Sequence, residues 1–189
     1  MQFSKKNMIY AGIVLLLTVF CKIIFANNIQ WSGFSPIMAV ALVSGMMVHQ
    51  KHFTFIFPLF ALLGSDIMIQ LLYVTGQFPF PGFYSYQLLN YLFLSVLVLA
   101  GWMLKGKKYA TLVLGALVGP TIYFLLSNCT VWVTHGGYNR PMNATGLWMC
   151  MADGLPFYKN SLMATLLFLP VLLMFYHGLL RKQLAIKMQ

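Results

Sequence analysis

Two side chains in this 189-residue chain carry a carboxylate, Asp66 and Asp153, and there is no glutamate. That scarcity excludes a two-carboxylate hydrolase and a carboxylate-caged divalent metal site. Asp66 stands about 14 residues into an apolar stretch, and Lys22 stands equally far into another. At 1.5 Å per residue both lie about 21 Å along their helices. A charge held there in a bilayer costs at least about 2.5 kcal/mol, and pairing relieves that cost. The matched depths predict either a Lys22–Asp66 ion pair or a polar pocket around Asp66 that opens outward. Plainer uses of the same residues are outward snorkelling of Lys22 and capping of a neighbouring backbone by Asp66.

A second group of polar residues follows further along. Ser127-Asn128-Cys129-Thr130-Val131-Trp132 places hydroxyl, amide and thiol groups at helical spacing, with His135 and Arg140 just beyond. Such groups line a polar cavity or glue helices together. Asn128, Trp132, His135, Arg140 and Trp148 are candidate ligand contacts, with Arg140 suited to an anionic or amide group. The three cysteines, Cys21, Cys129 and Cys150, are too widely spaced for a zinc or redox motif. Cys150 has Met149, Met151 and His135 nearby, but the 13 methionines are spread over the whole chain. No His-x-x-His or Cys-x-x-Cys accompanies them, so no metal site is expected.

The elements that position these groups are set by composition. Hydrophobic residues make up 60% of the chain and charged ones 7%, with mean hydropathy +0.80. Soluble domains carry about 25% charged residues, so this chain belongs in lipid. Six apolar stretches qualify as spans: Met8 to Ala26, Ser35 to His49, Phe53 to Tyr73, Tyr86 to Leu104, Tyr109 to Val133 and Ser161 to Leu180. The second is short and must be sheltered by its neighbours. Ser35 followed by Pro36 fits a helix cap and first turn. No small-residue cleavage site follows the first stretch, which reads as a retained helix. The expected fold is therefore all-α integral membrane, with six transmembrane helices in one compact bundle over residues 1–189.

Charge sets the orientation. Nine of the 12 basic residues flank the spans on one side, and only Arg140 and Lys159 fall in loops on the other. Positive residues stay inside, so both termini are expected to be cytoplasmic, and the net charge of +10 reads as topology and not as a nucleic-acid surface. The outer loops are then Asn27 to Phe34, Val74 to Ser85 and Thr134 to Asn160. They are rich in rings, part of which form an interfacial aromatic belt. The third, of about 27 residues, is long enough to predict a functional loop. Small residues four apart, at Ala41/Gly45, Ala61/Ser65 and Gly115/Gly119, predict close helix packing. No Walker loop or other nucleotide cradle is present.

Three stretches carry a resemblance: Phe34-Ser-Pro-Ile-Met-Ala-Val-Ala-Leu42, Pro58-Leu-Phe-Ala-Leu-Leu-Gly-Ser-Asp66, and the run from Gly146 through Leu155-Pro-Phe-Tyr158 to Asn160-Ser-Leu162. They resemble a family of uncharacterised six-span bacterial membrane proteins. That family is similar to the substrate-binding S-components of energy-coupling-factor (ECF) vitamin transporters, including the solitary cobalamin-transporter type. The resemblance implies a non-enzymatic uptake protein of the bacterial cytoplasmic (inner) membrane. It would capture a vitamin-like nutrient, with cobalamin or another corrinoid as first guess, in an outward-facing pocket. It also implies a partner, an energy-coupling membrane subunit with ATPases. By position Asp66, Tyr84 or Tyr86, and Arg140 match polar pocket residues of the cobalamin type. The loop after the third span has Phe80 where that type would place a cobalt-binding thiol, so thiol ligation is not implied. Two rival readings remain: a non-catalytic structural or assembly subunit of a membrane complex, and an intramembrane thiol enzyme built on His135, Cys150 and Asp153.

Overall fold

The computed structural model describes residues 5–26, 28, 30–47, 51–105, 109–136 and 138–180. All regular structure among them is helical. In chain order the elements are α1 (Lys5–Ala26), α2 (Ile37–Met47), α3 (Lys51–Val74), α4 (Gln87–Met103), α5 (Tyr109–Val133) and α6 (Ala144–Leu180). Among the described residues, four apolar runs are long enough to cross a membrane: Met8–Phe25, Thr54–Val74, Thr111–Val133 and Ala144–Tyr176. Even the shortest, with 18 residues, reaches about 27 Å against a hydrocarbon core of about 30 Å. These helices mark the chain as a membrane protein. α2 and α4 are equally apolar but shorter, at 11 and 17 residues.

The short α2 explains the architecture. It is apolar almost all round, and every residue from Met38 to Met46 is buried. An apolar helix too short to cross the hydrocarbon core cannot rely on lipid along its length and needs neighbours on all sides. α3, α4, α5 and α6 pack directly on it, and α1, α3, α4, α5 and α6 follow one another in a ring that closes where α6 meets α1. The buried side chains Val14, Val40, Leu42, Leu112, Leu169 and Leu172 form the core beneath this ring. The start of α2 is as the sequence predicts: the Ile37 amide donates to Ser35 Oγ at 3.4 Å, and the Val40 amide to the Pro36 carbonyl at 2.9 Å. The part of the second span at 48–49 lies outside the described residues.

Glycines let α2 and α4 touch backbone to backbone. A methyl group on Gly101 would fall 2.2 Å from the Leu42 carbonyl oxygen, and one on Gly45 would fall 2.1 Å from that of Val98. The small residues Ala41 and Gly45 therefore serve internal packing. Gly115 and Gly119, set against Leu104, Leu42 and Leu97, do the same for α5.

The third outer loop needs correction. The segment Thr134 to Asn160 does not form one long loop, because α6 begins at Ala144 and runs unbroken to Leu180. The expected sixth span, from Ser161, is only the second part of this helix. Its glycines and prolines mislead for a physical reason. Gly146 and Gly154 are contact points, where a methyl group would fall 1.8 Å from the Pro141 carbonyl oxygen and 2.3 Å from Asn128 Oδ1. Pro156 and Pro170 lie inside the helix, which membrane helices tolerate because neighbours satisfy the freed backbone groups. At 37 residues α6 is about 55 Å long, far more than one crossing requires. A Gly101→Ala substitution is expected to cost about 1–3 kcal/mol by overpacking. Thermal unfolding in detergent checks this, with Gly12→Ala as the neutral control because nothing lies within 4 Å of that position.

Candidate functional site

An ion pair around a buried carboxylate fixes the surrounding helices. Asp66 on α3 is 2% exposed, and the Lys22 ammonium on α1 pairs with its Oδ1. Lys22 also donates to Ser65 Oγ at 3.3 Å. The other carboxylate oxygen accepts from the Gln87 amide and, at 2.7 Å, from the Tyr91 hydroxyl, both on α4. Asp66 thus ties three helices together and is itself buried, while its partner Lys22 stays 29% exposed. The α3–α4 connection covers it: the Gly82 and Phe83 amides donate to Gln70 Oε1 at 2.9 and 3.2 Å. Gly82 sits so close that a methyl group there would fall 2.0 Å from the Asp66 carbonyl oxygen.

From this pair a chain of hydrogen bonds leads to α5. Gln87 Oε1 accepts from the Tyr84 amide at 3.2 Å. The Asn90 amide donates to the Tyr84 hydroxyl at 2.5 Å, and the Tyr123 hydroxyl donates to Asn90 Oδ1 at 3.2 Å. Burial, followed by the Asp66 charge, pushes the Tyr84 phenol above its ordinary value. Tyr86, next to it, holds a left-handed backbone (φ 63°) at the start of α4, and its side chain is exposed.

Tyr123 belongs to a second feature, a cleft of about 420 Å³ along the seam of α5 and α6. Both walls repeat one spacing. Pro120, Tyr123, Phe124, Ser127, Asn128 and Val131 come from α5, and Cys150, Asp153, Gly154, Phe157, Tyr158 and Ser161 from α6. Positions i, i+3, i+4, i+7, i+8 and i+11 form one helical stripe, so two matching stripes face each other. Met38 at the start of α2 and Pro156 also line the cleft, together with Tyr138 and Arg140 of the connection.

Close contacts hold the walls. The Phe124 and Tyr158 rings lie 4.8 Å apart, and the Thr121 and Tyr158 hydroxyls are 2.8 Å apart. The Cys150 thiol points at the Asn128 carbonyl oxygen at 3.5 Å. Asn128 Nδ2 donates to the Phe124 carbonyl at 2.9 Å, and Ser127 Oγ to the same carbonyl at 3.1 Å. The floor is tied to the α1–α2 connection, where Ser161 Oγ donates to the Gly33 carbonyl at 3.1 Å.

Arg140 and Asp153 provide the charge at the cleft. The guanidinium Nε and Nη2 meet the two carboxylate oxygens at 2.8 and 2.9 Å, a two-pronged pair. The guanidinium also lies over the Tyr138 ring, 5.3 Å from its centre. The hydrogen bonds from Arg140 to Asp153 push the Arg140 pKa further up, so it stays charged. The two side chains are about 30% exposed, at 32% and 28%.

The structure divides the residues singled out in the sequence. Asn128 and Arg140 line the cleft. Lys22 and Asp66 meet in the ion pair, and Asp66 is not among the cleft-lining residues. Tyr84 links the pair toward Tyr123. Trp132, His135 and Trp148 lie outside the lining: Trp132 Nε1 donates to the Pro141 carbonyl at 2.9 Å, and Trp148 is 78% exposed. His135 takes a left-handed backbone (φ 52°) as α5 ends, with the Gly136 amide reaching back to the Val131 carbonyl at 2.9 Å. The cysteines are all free, and among the described residues no cluster of three or more His, Cys, Asp or Glu is placed to hold a metal. Phe124, Phe157, Tyr158 and Ser161 were not singled out as site residues. For Phe157, Tyr158 and Ser161 the signal is their shared spacing with Asp153, which can be read only once 144–160 is known to be helical; for Phe124 it is the four-residue step to Asn128 on α5.

A family described as "Family of unknown function (DUF6580)" matches residues 1–186. No curated protein matches the chain, and no solved structure matches it. Lys22→Met is expected to cost about 3–5 kcal/mol by leaving a buried carboxylate uncompensated. Asp66→Asn should cost less, because the 29%-exposed Lys22 can turn toward the interface. Thermal unfolding of the two variants checks the order.

Proposed function

The chain belongs to this family of unknown function, and we propose that it is a membrane-embedded binding and uptake protein for a small ring-bearing nutrient. The observation that carries the proposal is the α5–α6 cleft. Small-molecule sites are concave and mostly apolar, with a few polar groups that fix orientation, and hold about 300–1,000 Å³. The cleft has these features: tyrosine and phenylalanine walls, one charged pair and about 420 Å³. That volume suits a compact ring system better than a complete corrinoid with its nucleotide arm. The resemblance to S-components of ECF-type transporters supports uptake and, with it, an energy-coupling partner. An assembly subunit would instead be expected to fill this space with its own side chains.

Placement in the membrane completes the proposal. Six helices cross or partly cross a bacterial inner membrane, with both termini in the cytoplasm and the cleft facing outward. Support comes from the nine basic residues gathered at the other end of the spans. In a Cys129→Ser background, a membrane-impermeant maleimide added to intact cells is expected to label Tyr138→Cys and to spare Lys105→Cys. The reverse pattern would invert the orientation.

Mass spectrometry of gently purified protein is expected to find a copurifying ring-bearing small molecule. Ser127→Trp, which fills the cleft from α5, should lose it while eluting unchanged on size exclusion. Protein that is empty in both forms would remove the binding role.

A further inference from the structure

The charged pair narrows the class of ligand, on the premise that the cleft is the binding site. Among the described residues of its lining, Arg140 and Asp153 are the two that carry charge, and they neutralise each other. A ligand with one net charge would find its counter-charge already engaged. It would have to break the pair or leave its own charge half compensated in a mostly apolar space. A ligand carrying both signs faces neither cost.

The geometry leaves room for such a ligand. A guanidinium has five N–H donors, and Asp153 occupies Nε and one on Nη2, so three remain. Each Asp153 oxygen keeps a lone pair, because an ionised carboxylate accepts at about four sites. A carboxylate and an ammonium held a few bonds apart can lie antiparallel against Arg140 and Asp153, making a ring of four alternating charges with the existing pair intact. The aromatic walls, at Phe124, Phe157 and Tyr158, then lie beside whatever side chain the ligand carries. We propose that the cleft binds a zwitterion of amino-acid type with an aromatic or bulky apolar side chain, its carboxylate on Arg140 and its ammonium on Asp153.

The test is equilibrium dialysis of the full chain in lipid nanodiscs with radiolabelled L-tryptophan, L-phenylalanine and L-leucyl-L-phenylalanine. L-tryptophanamide and indole-3-propionate serve as competitors that each lack one charge. At least one zwitterion is expected to bind, and its single-charge analogue to compete at least tenfold more weakly. Arg140→Gln and Asp153→Asn should each weaken binding at least tenfold. The exchanged variant Arg140→Asp/Asp153→Arg restores an ion pair but reverses its direction. It is expected to recover the thermal transition of the parent without recovering binding.

Recovery of both in the exchanged variant would make the pair a structural brace and overturn the proposal. So would single-charge analogues that compete as well as the zwitterion, or no zwitterion binding at millimolar concentration. If a copurifying ring-bearing molecule without both charges occupies the cleft, the ligand class falls and the uptake reading stands. If nothing occupies it, both fall.

Discussion

An uncompensated charge in hydrocarbon costs several kcal/mol, and this chain holds one carboxylate deep among its helices. Asp66 is acceptable there because Lys22, Gln87 and Tyr91 surround both oxygens. The consequence is mechanical. An ion pair between α1 and α3, bonded on to α4, fixes the relative height of three helices, and through them the lid formed by the α3–α4 connection. The matched depth of Lys22 and Asp66 along their spans was therefore a statement about register, and the pair is where that register is enforced.

The second constraint is steric. An 11-residue helix covers about 16 Å, roughly half a hydrocarbon core, so α2 cannot meet lipid over a full crossing. Enclosing it in a ring requires backbone to approach backbone, which only residues without bulky side chains permit. Gly45 and Gly101 meet that need on the α4 side. Because α2 is short, its first turn ends beneath the α5–α6 seam, and Met38 becomes part of the cleft. The short central helix and the overlong α6 thus complement each other: one stops early and the other continues past it, leaving a recess between.

Much of this was legible in the sequence. Six apolar stretches correspond to six helices, and the Ser35-Pro36 start, the small-residue contacts and the Lys22–Asp66 pairing follow from spacing and from the cost of charge in lipid. The recess was less legible because glycine and proline have two meanings. In a loop they supply special backbone angles; in a membrane helix they mark close approach or a tolerated kink. With Gly146, Gly154 and Pro156 read in the first sense, 144–160 had no helical period. Cys150, Asp153, Phe157 and Ser161 could not then be seen as one face. Arg140 and Asp153 also looked like loop charges, since their partnership depends on that face. Local composition could not choose between the meanings; the contacts across to Asn128 and Pro141 did.

The two carboxylates differ in what disturbing them would cost. Asp66 is 2% exposed, and breaking its pair leaves a charge that the surrounding helices cannot solvate. Arg140 and Asp153, at 32% and 28%, sit where water still reaches and screens the pair. A water-screened pair can rearrange without loosening the bundle. The deep pair has no such freedom. Of the two carboxylates, the shallow one is thus free to rearrange and the deep one holds the helices rigid. The hydrogen-bonded path through Tyr84, Asn90 and Tyr123 places the rigid network directly behind the cleft wall, where it holds the Tyr123 hydroxyl in position.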